Sequence, residues 1–270
     1  MHETDYLVKH YTPAAGETRS EDDRLVSRHG SVEFITTIRY IEEYLHPGAR
    51  IIEIGAGTGR YSHALAKKGY AVDAVEFVPH NIEIFRSKTT PDEVISVIQG
   101  DARDLSSFTD EIYDITLLLG PLYHMFTIED KRQTISEALR VTKPGGVVFA
   151  AYCMSDASII EGGFRNNRFD MVDLINKGFI NADTFETRSA PELVFEIVRK
   201  EQIDAVMKAF DVERLHFVAT DLYTLHMRDA IASMDEETFT RYLRYHFAIC
   251  ERPDMIGFTH HSLDIFRKRL

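Results

Sequence analysis

The sequence has 270 residues, a formal net charge of −12 and two cysteines. A chain of this length can bury a full core in one large domain, and the acidic balance argues against a protein whose affinity depends on contacts with nucleic-acid phosphates. The cysteines, Cys153 and Cys250, lie far apart without the spacing of metal ligands, so they predict a reducing, cytoplasmic location.

We expect residues 1–30 to form an N-terminal arm, because they are polar and mixed in charge and lack the apolar centre of a signal peptide. No later stretch approaches the roughly 20 apolar residues of a membrane span, so no membrane partner is expected. From Ser31, apolar residues recur at helical spacing until the His-Pro-Gly sequence at 46–48 ends the pattern. This helix begins the single α/β domain that we predict over residues 31–270.

The stretch from Arg50 to Glu76 predicts one βαβ unit. A strand at Ile51–Ile54 leads into a glycine-rich turn, a helical pattern stops at Gly69, and a second strand at Ala71–Val75 ends on Glu76. Glycine permits φ > 0 and lets a ligand approach the backbone closely. Because ligands of open α/β sheets lie at the carboxyl ends of the strands, the turn and Glu76 should face one crevice, where Glu76 can accept hydrogen bonds from two ribose hydroxyls.

The glycine spacing separates two cofactor classes. A dinucleotide site has the pattern G-x-G-x-x-G, whereas here Gly55, Gly57 and Gly59 alternate and Glu53 precedes them by two residues. This Glu-x-Gly-x-Gly-x-Gly pattern resembles motif I of the class I S-adenosylmethionine-dependent methyltransferases. The resemblance implies that the turn carries the methionine part of the cofactor, that Glu53 helps to hold its cationic amino group, and that Glu76 binds the ribose.

Three later stretches resemble the same family in the family's order. Val97–Ala102 resembles the end of the third strand, where Asp101 would meet the adenine amino group and the next amide would meet the ring. Tyr113–Leu119 resembles the fourth strand, and Leu139–Gly146 resembles the turn before the fifth. The resemblance implies S-adenosylmethionine as cofactor and S-adenosylhomocysteine as product, bound by Glu53, Gly55, Ala56, Gly57, Gly59, Glu76, Phe77, Asp101, Ala102 and Leu119.

We therefore expect a Rossmann-like α/β fold, with a seven-stranded mixed sheet, an antiparallel last strand and helices on both faces. The later strands are predicted at Glu93–Gln99, Tyr113–Leu119, Gly146–Tyr152, Val212–Thr220 and Phe258–Phe266. Two helical insertions, at about 155–198 and 222–256, exceed the usual length of connections and should cover the crevice and shape an acceptor pocket. In the second of them, Ser233 and Glu236 predict a capping box.

The stretch after the fourth strand supplies the candidate catalytic residues, Tyr123 and His124. The family places residues here beside the transferred methyl group, and nucleobase N-methyltransferases have Asn or Asp before Pro-Pro and an aromatic residue. This chain has Gly120 before Pro121, so an exocyclic base amine is not the expected target. His124 is a candidate general base or a ring that only hydrogen-bonds. Tyr123 either contacts the sulfonium through its ring or simply packs.

Tyr11, Arg28 and His29 are candidate lid residues, and the first two are candidate cofactor-binding residues, because in many methyltransferases of this kind an N-terminal helix closes one side of the crevice. A solvated arm is the alternative reading of this segment. No metal is expected: His260 and His261 lie in the predicted last strand and should point to opposite faces, and the acids of a catechol-type magnesium site are not recognised.

The leading hypothesis is a methyltransferase that transfers a methyl group to an O or N atom of a small-molecule acceptor by in-line displacement. An RNA or protein substrate is an alternative within the same reaction class. A nicotinamide-dependent oxidoreductase and a non-catalytic S-adenosylmethionine-binding module are alternatives from other classes. A nucleic-acid partner is not expected, and the oligomeric state is left open.

Overall fold

The structure, a computed structural model, describes residues 3–13 and 27–270. Its centre is one eight-stranded sheet with the order β3-β2-β1-β4-β5-β8-β7, in which the short β6 pairs with β5 off this path. The strands are β1 Arg50–Ile54, β2 Ala71–Glu76, β3 Ile95–Gln99, β4 Tyr113–Leu118, β5 Thr142–Met154, β6 Ile197–Val198, β7 Val212–Ala219 and β8 His261–Lys268.

The predicted Rossmann-like mixed sheet is confirmed. β1 to β5 are parallel, and β8 runs antiparallel to both of its neighbours, β5 and β7. The last strand is therefore antiparallel, as predicted, and it lies inside the sheet. The two-residue β6 is an addition that the sequence did not predict, and it pairs with the carboxyl end of β5.

Helices cover the sheet. They are α1 Glu3–Tyr11, α2 Arg28–Glu42, α3 Arg60–Ala66, α4 Pro79–Lys88, α5 Ile128–Val141, α6 Ser155–Ser158, α7 Met171–Asn176, α8 Lys200–Met207, α9 Arg228–Ala232 and α10 Glu236–Ile249. Of the arm predicted over residues 1–30, positions 1–2 and 14–26 lie outside the described residues. Across 3–13 and 27–270, the helices are all too short or too polar to cross a bilayer.

The core lies where the central strands are covered on both faces. Parallel strands buried in this way are apolar along their whole length, and Ile51, Ile52 and Ile54 of β1 are fully buried, as are Leu117 of β4 and Phe149 of β5. In register, the carboxyl ends of β1, β2 and β4 stop at the same edge of the sheet. The residues that follow these three strands are thereby brought together.

One predicted helix start is wrong. The N-cap of α10 is Asp235, whose carboxylate accepts a hydrogen bond from the Thr238 amide at 2.7 Å. Ser233 instead donates its hydroxyl to the Ala230 carbonyl at 2.9 Å. An Asp side chain serves as an N-cap as well as Ser does, so the helix begins two residues later than the predicted capping box required.

The two insertions are joined through one buried carboxylate, Glu161, in the π-helical turn Ile159–Arg165. Its oxygens accept hydrogen bonds from Arg165 at 3.0 Å and from Asn166 at 2.7 Å within the first insertion. His226 Nδ1, in the second insertion, lies 3.0 Å from Glu161 Oε2. Although burial opposes ionisation of Glu161, these hydrogen bonds lower its pKa.

Candidate active site

The glycine-rich turn after β1 forms the floor of the site. The amides of Gly55 and Ala56 donate to the Val75 carbonyl at 2.8 and 3.0 Å, which fixes the turn against the end of β2. Gly57 has φ +56° and open space where a Cβ would lie. Gly59 has φ +85°, and a Cβ there would collide with the Phe85 ring. Gly57 thus admits a ligand to the backbone, whereas Gly59 allows α4 to pack closely.

A cavity opens above this turn at the carboxyl edge of the sheet. Every residue that we predicted for the site lines it except Gly59 and Arg28. The predicted residues that line it are Tyr11, Glu53, Gly55, Ala56, Gly57, Glu76, Phe77, Asp101, Ala102, Leu119, Tyr123 and His124. The roles assigned to these residues stay predictions, but the structure brings their positions together.

Glu53 is buried at the base of the cavity. Its Oε2 accepts hydrogen bonds from the amide of Ser62, at 2.9 Å, and from the Ser62 hydroxyl. Within the described part of the chain, Oε1 makes no hydrogen bond. Burial raises the pKa of Glu53 to about 8, although the Ser62 hydrogen bonds act in the opposite direction. Ionised Glu53 is thus disfavoured until a positive charge approaches it.

Glu76 ends β2 and is also buried in the cavity wall. Its carboxylate accepts hydrogen bonds from the Gly57 amide at 2.8 Å, the Val78 amide at 2.9 Å and the Asn81 side chain at 3.1 Å. Burial raises the pKa of Glu76 against the effect of these bonds. The bond to Gly57 connects the second acid directly to the glycine-rich turn, so the two halves of the predicted motif form one unit.

Asp101 is engaged by a residue that we did not predict, Arg103. The Arg103 guanidinium donates to both carboxylate oxygens of Asp101, at 2.7 to 3.2 Å, and to Asp130 at 3.1 Å. Burial acts against ionisation, but the hydrogen bonds and charge of Arg103 lower the pKa of Asp101. Arg103 also lines the cavity. The Asp-x-Arg spacing could have predicted this ion pair, because side chains two residues apart in a turn can contact each other.

Tyr123 and His124 lie in a 3-10 turn, Pro121–His124, which also lines the cavity. The Tyr123 hydroxyl donates to the Leu119 carbonyl at 3.1 Å. His124 Nδ1 lies 2.8 Å from the Val194 carbonyl, and Nε2 lies 3.1 Å from the Tyr11 hydroxyl. Burial lowers the pKa of His124 to about 4, so the ring is neutral at pH 7.

Helix α1 contributes a wall that the sequence predicted only through Tyr11. Glu3, Thr4 and Leu7 of this helix also line the cavity. These residues recur at spacings of three and four, which places them on one face of a helix. This spacing could have indicated that the segment forms a cavity wall. In a polar segment of nine residues, however, it could not be distinguished from the pattern of a solvated arm.

Arg28 lies outside the cavity, so its prediction as a cofactor-binding residue is not supported. Its guanidinium hydrogen-bonds the Met234 carbonyl and the Glu236 carboxylate, and it lies over the Phe239 ring at 5.1 Å. These partners belong to the second insertion, which packs against the first turn of α2. The position of that insertion could not be known from the sequence near Arg28.

The prediction that His260 and His261 point to opposite faces is wrong. Strand alternation applies only within a strand, and β8 begins at His261, so His260 precedes it. The two ring centroids lie 4.5 Å apart. The two imidazoles are thus neighbours, outside the cavity lining.

Residues 52–150 match a family model described as a methyltransferase domain. A demethylmenaquinone methyltransferase of Clavibacter sepedonicus is 32% identical over 119 residues, which cover 43% of this chain and 46% of that protein. A glycine/sarcosine N-methyltransferase of Aphanothece halophytica is 28% identical over 148 residues, which cover 53% of this chain and 55% of that protein. The chain thus spans about half the length of the curated relatives it matches.

Solved structures share the fold over most of the chain. The PH0226 protein of Pyrococcus horikoshii OT3 has a TM-score of 0.60 at 15% identity, over 93% of this chain and 95% of that one. A methyltransferase of Methanosarcina mazei that is described as S-adenosylmethionine-dependent has a TM-score of 0.57 at 17% identity, over 86% and 97%. The motif series, the family match and the shared fold agree: residues 52–150 form a methyltransferase domain of the class I S-adenosylmethionine-dependent kind.

Proposed function

We propose that this chain transfers a methyl group from S-adenosylmethionine to an oxygen or nitrogen atom of a small-molecule acceptor by in-line displacement. The observation that carries the proposal is one cavity that is lined both by the motif I turn with its acids and by Tyr123 and His124. A site for the cofactor and a site for the acceptor are thereby continuous.

The residues of the cavity fit the cofactor. Gly57 leaves open space where a side chain would stand, so a nucleoside can approach the backbone. Glu53 Oε1 can accept a hydrogen bond from a cationic amino group, and Glu76 can accept one from a ribose hydroxyl. Arg103, held between two carboxylates, presents a planar group in the part of the wall where the family binds adenine. When bound, the cofactor supplies a methyl group on a sulfonium, which is a good leaving group.

His124 is the residue that we infer to remove a proton from the acceptor. A carbonyl oxygen only accepts hydrogen bonds, so the bond to Val194 requires the proton on Nδ1. In the neutral ring Nε2 is then the basic atom, and it accepts from the Tyr11 hydroxyl. An acceptor that displaces this hydroxyl can pass its proton to Nε2. Tyr123 would fix the wall beside it through its bond to the Leu119 carbonyl.

Exclusion of water and alignment of the acceptor with the methyl group would supply the rest of the rate acceleration. Helix α1 lines the cavity through Glu3, Leu7 and Tyr11, and would shield this side of the site from solvent. Orientation of two reactants can contribute about 7 to 11 kcal/mol. Displacement at a sulfonium needs no covalent intermediate with the protein, and both Cys153 and Cys250 are buried as free thiols.

A small-molecule acceptor is favoured over RNA or protein. The relatives are named for acceptors of this size, demethylmenaquinone and glycine or sarcosine. Residues of α1 line the cavity, and a cavity bounded in this way suits a small enclosed acceptor better than it suits a polymer. The net charge of −12 also disfavours a polyanion. We further infer a cytoplasmic location from the two free cysteines.

Isothermal titration calorimetry with S-adenosylhomocysteine, followed by incubation of the protein with methyl-labelled cofactor and fractionated metabolite extracts, tests this proposal. We expect one binding site per chain and a labelled small product. Binding without any labelled small molecule, together with label in added RNA or protein, would overturn the acceptor class. Failure of the folded protein to bind the cofactor would overturn the function as a whole.

A further inference from the structure

A second group of polar side chains converges at the carboxyl edge of the sheet, outside the cavity lining. Asp221 follows β7, and His260 and His261 lie at the start of β8. Because β7 and β8 are antiparallel neighbours, paired at Ala219 and Ser262, the end of one strand meets the start of the other. Helix α2 contributes Glu33, whose Oε2 lies 3.3 Å from His261 Nδ1. These elements come from three distant parts of the chain.

We propose that Asp221, His260, His261 and Glu33 form a binding site for a divalent transition-metal ion of the zinc class. One ligand atom each from Asp221, His260 and His261 lies within 4.8 Å of the others. The two Nδ1 atoms are 3.4 Å apart, and His261 Nδ1 lies 3.3 Å from Glu33 Oε2 and 2.8 Å from Asp221 Oδ2.

Two of these three separations are those of ligands around one small ion. With zinc-to-nitrogen bonds of about 2.0 to 2.1 Å, two ligands of a tetrahedral site stand roughly 3.3 Å apart. The separations from His261 Nδ1 to His260 and to Glu33 already have this value. The Asp221 separation must lengthen by about half an ångström when a hydrogen bond is replaced by two metal bonds. Glu33 stands outside the group of three ligand atoms that lie within 4.8 Å of one another, so its side chain must also turn toward Asp221 and His260 when the ion binds.

The charge of the group also suits a divalent cation. Around His261 Nδ1 stand three atoms that can accept a proton or bind a cation, from Asp221, Glu33 and His260, whereas a single N–H can serve only one of them well. Two carboxylates balance an ion of charge +2, and His261 Nδ1 releases the proton that it now shares with Asp221 to the solvent when the ion binds. Imidazole nitrogen favours zinc and its neighbours over magnesium and calcium, which prefer all-oxygen sites.

A second shell already orients Asp221. Its Oδ1 accepts hydrogen bonds from the His260 and His261 amides, at 2.8 and 3.1 Å, and from the Thr259 hydroxyl at 2.6 Å. Oδ2 is thereby directed toward His261 Nδ1. Such outer hydrogen bonds accompany metal ligands in known sites. The side chains of Asp221, Glu33 and His261 are 9 to 14% exposed, which leaves a path for the ion.

Four protein ligands without a position for substrate are typical of structural sites. The ion would tie α2 to the β7–β8 pair, next to the cavity, because Phe34, which follows Glu33, packs on the cavity residue Tyr61 with ring centroids 5.1 Å apart. The proposal does not depend on the methyl-transfer function, since every readout below is independent of turnover.

The test uses the full chain after treatment with EDTA and gel filtration. Calorimetric titration with Zn²⁺ is expected to give one site per chain, and thermal unfolding should shift upward with Zn²⁺ and not with Mg²⁺. Co²⁺ should give the visible absorption of a tetrahedral site. In Glu33→Gln the affinity for Zn²⁺ should fall at least tenfold, and in the double variant His260→Ala with His261→Ala the site should be lost.

His46→Ala is the matched control, because His46 also lies beside a carboxylate, Asp114, at 3.4 Å, but among residues 3–13 and 27–270 it belongs to no group of metal-ligand side chains. It should bind Zn²⁺ as the native chain does. The proposal is overturned if the native chain binds less than about half an equivalent, or if Glu33→Gln and the double variant bind as the native chain does. If the double variant does not fold, Glu33→Gln, on the partly exposed face of α2, decides the matter.

Discussion

Glu53→Gln should make the protein more stable at neutral pH. Burial holds the pKa of Glu53 at about 8 in the folded chain, against an ordinary value of 4.5. The unfolded chain therefore releases this proton at lower pH than the folded chain does, and stability is lost as the pH rises from 4.5 toward 8. Each pKa unit corresponds to about 1.4 kcal/mol, so the loss between pH 5 and pH 7 is roughly 2 to 3 kcal/mol.

The glutamine variant removes this loss, because its amide oxygen can still accept both hydrogen bonds from Ser62 and it never ionises. Urea unfolding of the ligand-free proteins at pH 5, 6 and 7 measures the difference. The advantage of Glu53→Gln over the native chain should grow with pH, whereas Glu83→Gln, at an exposed position on α4, should follow the native chain. Parallel curves for the native chain and Glu53→Gln would refute the reasoning.

Cofactor binding should release the same proton from Glu53. If the cationic amino group of the cofactor binds ionised Glu53, the proton must leave, and the affinity for S-adenosylhomocysteine should fall about tenfold for each pH unit below 7. Calorimetry in two buffers of different ionisation enthalpy would detect the released proton. Glu53→Gln should bind more weakly at pH 8 and without this slope; a slope equal to that of the native chain would assign the proton elsewhere.

Three further substitutions separate the parts of the site. Gly57→Ala should lower cofactor affinity at least tenfold and destabilise the protein by about 1 kcal/mol. Gly48→Ala places a side chain at the same kind of positive φ, also in open space but away from the cavity, so it should be destabilised equally and bind the cofactor normally. Equal binding by both variants contradicts the role of Gly57. His124→Ala should lose about a hundredfold or more in turnover with unchanged cofactor affinity, as measured by labelled-product formation and calorimetry, and unchanged turnover rejects it as the base. Tyr11→Phe frees His124 Nε2, so turnover should persist and the KM for the acceptor should fall in steady-state assays; a loss as large as that of His124→Ala would make the Tyr11 hydroxyl the proton-transfer group.

The parts of the site that depend on local backbone could be predicted from sequence. Gly57 needs positive φ within its own turn, and Glu53 and Glu76 are placed by the strands that carry them, so their common cavity follows from the βαβ unit. The position of Arg28 outside the cavity could not be predicted, because its partners come from a distant insertion. His260 failed because strand alternation was applied to a residue that lies before its strand.

The hydrogen bonds of Glu161 bear on any attempt to alter acceptor choice by exchanging segments with a relative. The segments after β5 and after β7 share this carboxylate, through Arg165 on one side and His226 on the other. A chimera that imports only one segment leaves a negative charge in the interior without half of its partners, which is a costly defect. The two segments should therefore be transplanted as a pair, and their sequences should vary together among natural variants of this protein.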